Sequence, residues 1–111
     1  MDTARLQDNL SYVAYGEDAW RMRYRQQGNR LQIRYDVHDM SAKKAKSKIR
    51  SLIAVTPCTA DICIVHGYTH GTAIKDMIQT EQISRRIMSK GSPEYNPGIT
   101  WMNIADRAGF Y

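Results

Sequence analysis

Apolar and polar residues alternate over two short runs of this chain. Trp20, Met22 and Tyr24 are interleaved with Arg21, Arg23 and Arg25, and Leu31, Ile33, Tyr35 and Val37 with Arg30, Gln32, Arg34 and Asp36. A period of two predicts strands with one apolar face. Gly28-Asn29 between the runs predicts the turn of a hairpin, although the first run also suits an extension of a preceding helix. Arg21, Arg23 and Arg25 beside Trp20 and Tyr24 suit single-stranded nucleic acid, but the stronger reading packs Trp20, Met22 and Tyr24 on the core and leaves the arginines as an edge that discourages aggregation. Upstream, Leu6, Leu10 and Val13 share one helical face over residues 3–15, with Thr3 placed to cap the start and Gly16 to stop the run.

The most legible helix opens at Ser41 and runs to about Ala54. Ala42, Ala45, Ile49, Leu52 and Ile53 keep helical spacing, and Pro57 lies just beyond the end. Ile62-Cys63-Ile64-Val65 is an unbroken apolar run, the pattern of a strand buried on both faces. Strand, helix and buried strand make a βαβ unit. Gly71 leads into a second helix that runs to about Gln79, with Ala73, Ile74, Met77 and Ile78 apolar. A short strand is expected over Ile83 to Met88, then a loop at Gly91, Pro93, Pro97 and Gly98, a last strand from Ile99 to Ile104, and a loose tail over residues 106–111.

Length narrows the picture: 111 residues, 42% of them apolar, suit one α/β domain with a modest core. No apolar run approaches the ~20 residues of a membrane span. The N-terminus Met1-Asp2-Thr3 has no basic head followed by an apolar stretch, so a cytoplasmic protein that binds no membrane is expected. Cys58 and Cys63 lack the paired spacing of a zinc site and read as small hydrophobes in a reducing compartment. The formal charge of +5 favours an anionic partner. Lys43, Lys44, Lys46, Lys48 and Arg50 lie on the first long helix without an acid among them, and equal that whole charge. Lys43 and Lys44 occupy its first turn, where the helix dipole prefers acids. That placement suits phosphate contact through Lys43, Lys44, Lys46 and Arg50, and suits equally a solvated face.

In a βαβ unit, ligands lie beyond the carboxyl ends of the strands. Asp36 and His38 end the first strand there, two residues apart and so on one face. His66 and Gly67 end the second, and His66-Gly67-Tyr68-Thr69-His70-Gly71 runs into a helix whose first N–H groups favour a phosphate. All three histidines and an acid therefore converge on one rim of the sheet. The plainer alternative is a polar strand-end loop in which His66 satisfies a backbone group.

These residues resemble the Smr (small MutS-related) domain family. Asp36-Val37-His38 followed by Ser41 and an Ala-bearing helix matches its Asp-Leu-His-Gly motif, and Ile64-Val65-His66-Gly67 ahead of Gly71 its later His-Gly-x-Gly loop. Pro97-Gly98-Ile99-Thr100 is similar to the family's last strand. The resemblance spans roughly Leu31 to Ile104. It implies a two-layer βαβαββ domain with a mixed sheet over residues 31–105, similar to the C-terminal domain of bacterial translation initiation factor three. An N-terminal helix or hairpin extension (1–30) and a tail (106–111) flank it. Asp39 stands where the family usually has Gly, and Thr69 where the loop's second Gly is expected.

The family binds structured nucleic acid, and several members are endonucleases. The resemblance thus implies a nucleic-acid partner, DNA or RNA, and phosphodiester cleavage by Asp36, His38 and His66. Asp36 would orient an imidazole, and His38 or His66 would take the proton of the attacking group, in RNA the neighbouring 2′-OH. Backbone groups from Gly67 through Tyr68, Thr69, His70 and Gly71 to Thr72 would hold the phosphate. No cofactor is expected; a divalent metal on Asp36, His38, His66 and His70 ranks below the phosphate site. Two other functions fit the same residues: a nucleic-acid-binding module without catalysis, and an interaction domain whose basic face meets an acidic protein.

Overall fold

A computed structural model describes residues 3–69 and 71–106; His70 and residues 107–111, the tail among them, lie outside the described residues, as does the side chain of Thr3. The elements run α1 (Thr3–Ser11), a 3-10 turn (Gly16–Arg21), β1 (Met22–Gln27), β2 (Arg30–Asp36), α2 (Ala42–Val55), β3 (Ala60–Val65), α3 (Ala73–Thr80), β4 (Ile87–Gly91) and β5 (Ile99–Ile104). Gln27 pairs with Arg30 across the Gly28-Asn29 turn, where Gly28 takes the left-handed φ of +57° that glycine adopts freely. The hairpin reading therefore holds. β2 and β3 pair in parallel, connected by α2, and the five strands lie in the order β1-β2-β3-β5-β4 with every other pairing antiparallel.

Strand alternation decides the layering. Leu31, Ile33 and Tyr35 on β2, Ala60, Ile62 and Ile64 on β3, and Met102 and Ile104 on β5 are all buried. They form one cluster with Ala45, Ile49, Leu52 and Ile53 of α2 and Ile74, Met77 and Ile78 of α3. Leu6 and Leu10 of α1, and Val13 and Ala14 after it, join the same cluster. Residues 3–27 therefore share sheet and core with the rest of the chain. The other face of the sheet has no covering element among the described residues. Cys63 is buried there by its neighbours' side chains, so β3 is enclosed on both sides by different means. The radius of gyration, 13.3 Å, is that of one body of this length.

Helix ends follow the sequence closely. Ser41 caps α2, its hydroxyl accepting from the Lys44 N–H at 3.1 Å. At the other end, buried Arg86 donates to the carbonyls of Ile53 (2.5 Å) and Cys58 (3.4 Å), and through Nε to Ala105 (3.0 Å). A cation at a helix C-terminus complements its dipole as well as its last carbonyls. Arg86→Met keeps the stem but strips these bonds. The expected loss is about 2–3 kcal/mol, read as a Tm lower by about 10 °C in thermal unfolding.

Three expectations need correction. α1 stops at Ser11, short of residue 15, and the chain then turns through Gly16 at φ +60°. Trp20 and Arg21 belong to the 3-10 turn, not to the strand. Trp20 is 54% exposed rather than in the core, while Met22 and Tyr24 do pack against the core. Arg21 is turned inward onto acids and is no edge residue. The strand expected over Ile83 to Met88 starts at Ile87 and runs to Gly91, because Ile83 fills the core ahead of it and a bulge pushes Met88 into solvent. The basic face of α2 also has contacts within the chain. Lys46 pairs with Glu81 at 2.7 Å, and Lys48 reaches the Val13 carbonyl and the Tyr15 ring. No helix among the described residues is long and apolar enough to cross a membrane.

Candidate functional site at the strand ends

β2 and β3 run parallel, so their carboxyl ends finish side by side, and the Val37 N–H still donates to the Val65 carbonyl past the end of β2. Asp36 and His38 flank that last rung. The Asp36 carboxylate accepts from the His38 backbone N–H at 3.1 Å and faces its ring Nδ1 at 2.5 Å. A carboxylate can only accept, so Nδ1 carries the hydrogen, and in the neutral ring the lone pair is left on Nε2. The imidazole is half-exposed and lines a depression of about 380 Å³.

His66, Gly67, Tyr68, Thr69 and Gly71 line the same depression, over the apolar side chains of Met40 and Ile74. The predicted convergence on one rim is thus present for these residues. Two backbone features shape it. Gly67 adopts φ +72°, the left-handed region that favours glycine, while a β-carbon there would make only an ordinary 3.7 Å contact with that of His38, so conformation rather than space calls for glycine. Gly98 lies under the loop, its carbonyl accepting from the N–H groups of His66 (3.0 Å) and Gly67 (2.9 Å). Thr69 has no left-handed φ, so the side chain that replaces the expected glycine costs no backbone strain.

His66 differs sharply from His38. It is 4% exposed, and both ring nitrogens are engaged: Nδ1 with the Gly67 carbonyl at 2.7 Å and Nε2 with the Thr100 hydroxyl at 2.8 Å. A carbonyl accepts, so Nδ1–H donates and Nε2 accepts from Thr100, whose oxygen in turn lies 3.1 Å from the Ser92 hydroxyl. Burial holds the His66 pKa below its ordinary value of 6.5; the Gly67 carbonyl opposes that shift and Lys75 adds to it. The sign follows from linkage: the unfolded chain takes up a proton near pH 6.5 and the folded one only at lower pH. Stability from His66 is therefore complete above that value and falls as the pH drops toward the depressed folded pKa. Urea unfolding at pH 7.5 and 5.5 is expected to show a smaller acid loss in His66→Gln than in the wild type.

Asp39 brings no unbalanced charge to the rim. Arg21 grips it in a two-pronged pair at 2.6 and 2.9 Å, and also bonds Asp18 (2.8 Å) and the Asp36 carbonyl (3.3 Å). Its guanidinium holds the Asp39 carboxyl down at about 2 and lowers Asp18 as well. Sequence reasoning missed Arg21, Thr100 and Ser92. Thr100 left one signal, a polar residue at a core-facing position of an otherwise apolar strand.

Other candidates stand apart. The Thr72 hydroxyl turns to the Asp76 carboxylate at 3.0 Å and makes no cap with the helix backbone. Lys43, Lys44 and Arg50 are exposed, Lys46 is paired, and none of the four lines the depression. Among the described residues no three His, Cys, Asp or Glu side chains cluster to hold a metal ion. Compared with models of protein families, with curated proteins and with solved structures, the chain gives no match.

Proposed function

We propose that this chain is an Smr-like nucleic-acid-binding domain that cleaves phosphodiesters in structured DNA or RNA at the strand-end depression. The observation that carries the reading is the Asp36–His38 pair: a carboxylate fixes the tautomer of a half-exposed imidazole beside a glycine-bearing loop. His38 Nε2 takes the proton of the attacking oxygen, a 2′-OH in RNA or a water in DNA. That oxygen bonds to phosphorus as the bond to the leaving oxygen breaks. The backbone N–H groups of Tyr68 and Thr69 and those at the start of α3 meet the charge that gathers on the phosphoryl oxygens, since the Gly67 and Gly71 N–H groups are held by carbonyls. His66, with both nitrogens engaged, positions the loop and is not the base. The basic residues Lys43, Lys44 and Arg50 steer the polyanion from outside.

One observation favours binding without cleavage. Among the described residues of the depression, His38 is the one imidazole with an uncommitted nitrogen, and a second is wanted to protonate the leaving oxygen. Incubating purified protein with end-labelled hairpin RNA and hairpin DNA, with and without chelator, separates the readings. Cleavage by the wild type that is lost in Asp36→Ala supports the catalytic reading. Salt-sensitive binding without cleavage leaves the binding module, and no binding at low salt refutes both.

A further inference from the structure

The sheet face that no helix covers among the described residues carries a second surface. One rung of the register crosses four strands there as Arg23, Arg34, Cys63 and Trp101, ending at Gly91 on β4. Arg23, Arg25, Arg34, Cys63 and Trp101 line a depression of about 410 Å³, bounded at the loop end by Asn96. A smaller one, about 200 Å³, lies on the other side of Trp101 beside Gly91, where a β-carbon would meet nothing within 4 Å. The indole is therefore flanked by open space on both sides.

The charges on this face are poorly arranged for stability. Arg23 and Arg34 stand directly opposite each other, and like charges so placed are destabilising. Neither forms an ion pair among the described residues, and Arg25 bonds only the neutral Gln32 amide, at 2.9 Å. Arg30, by contrast, is matched by Asp61. Three guanidiniums thus remain without a counter-charge around a partly buried indole. A second copy of the chain packed on this face would set arginine against arginine. An occupant that complements it offers repeated negative charges on a flexible backbone and flat rings able to leave it, which is the chemistry of a single-stranded nucleic acid.

We propose that the open sheet face binds single-stranded nucleic acid, with a base stacked on Trp101 and phosphates on Arg23, Arg25 and Arg34. The surface also has a path to the strand-end depression. Asn96 accepts from the Gly98 N–H at 2.9 Å, and the Gly98 carbonyl in turn holds His66 and Gly67. A strand lying along the face and over this loop leads to His38. The binding stands whether or not the strand-end depression cleaves.

Fluorescence anisotropy with labelled twelve-residue oligouridine and oligothymidine tests it, with hairpin RNA and an oligoglutamate peptide as comparisons. Trp101→Leu is expected to weaken single-strand binding about tenfold or more, and Trp101→Phe to restore most of it. The double variant Arg23→Gln, Arg34→Gln is expected to lower the slope of log affinity against log salt by about 1.4. Its Tm should be unchanged or raised, since a like-charge pair has gone, which separates lost binding from lost folding. Asp36→Asn leaves this binding intact, so failure here and failure of the cleavage reading are distinguishable. Wild-type affinity in both the Trp101→Leu and the double-arginine proteins overturns the proposal. So does displacement of the strand by oligoglutamate of equal charge, or a dimer in sedimentation whose interface the arginine substitutions strengthen.

Discussion

In the Asp36→Asn protein, cleavage of a structured nucleic acid is expected to fall about 10²- to 10⁴-fold, the range contributed by a positioned base. The amide is close in shape to the carboxylate and can still accept from the His38 backbone N–H. What it loses is the negative charge that steadies the imidazolium formed when His38 takes a proton. One oxygen meets both the His38 backbone N–H and Nδ1, so an amide flipped to put its NH₂ there donates to Nδ1, favouring the tautomer whose lone pair lies on the wrong nitrogen, and gives up the backbone bond. His38→Ala should cost about as much, and the double variant little more than either single one, because residues acting as a unit are not additive. Nucleic-acid affinity, measured by anisotropy, should change far less than the rate in all three. A loss of affinity equal to the loss of rate would make Asp36 a binding residue only.

The second large effect is on stability and comes from Arg21. Its side chain is 10% exposed and meets four partners in three parts of the structure: Asp18 and, 4.7 Å away, the Trp20 ring of its own 3-10 turn, the end of β2 at the Asp36 carbonyl, and Asp39 in the loop before α2. Arg21→Ala is expected to destabilise the fold by about 2–3 kcal/mol, the range for charge-assisted hydrogen bonds, rather than the larger cost of a fully buried pair, since Asp39 is half-exposed. The loss should have an acid signature. Asp39 and Asp18 titrate below their ordinary 3.8 in the folded protein, so they add stability above that pH and lose it below, Asp39 as the pH falls toward about 2. Without Arg21 both return toward the ordinary range, and the difference between wild type and variant in urea unfolding should shrink between pH 5 and pH 2. Because the same loop carries His38, the variant should also cleave more slowly than its residual folded fraction explains.

Much of the fold was legible because local signals agreed. The Ser41 cap, the helical spacing of Ala45, Ile49, Leu52 and Ile53, and the turn at Gly28 each settle a feature within a few residues. Trp20 and Arg21 misled because they continue a period-two alternation into a segment that turns instead. The real strand begins where Met22 finds Tyr35 across the sheet. The offset of β4 has a similar origin: Ile83 and Ile87 both point inward, but only the second has a ladder partner, Ile104. At the site, Asp36 and His38 were legible as neighbours at a strand end, whereas the state of His66 depends on Thr100, thirty-four positions away. The grip of Arg21 on Asp39 spans eighteen positions and gives the N-terminal segment a part in shaping the rim. Such contacts have no periodic trace in the sequence.

On the proposed function, nucleic acid enters the depression lined by His38, residues 66–69 and Gly71. The most direct measurement is to titrate an uncleaved hairpin into isotope-labelled protein and follow the backbone amide resonances. The largest shifts are expected at His38, Gly67, Thr69, Gly71 and the first turn of α3, with the Asp36→Asn protein showing the same pattern. Binding that saturates while these amides stay unmoved would contradict it.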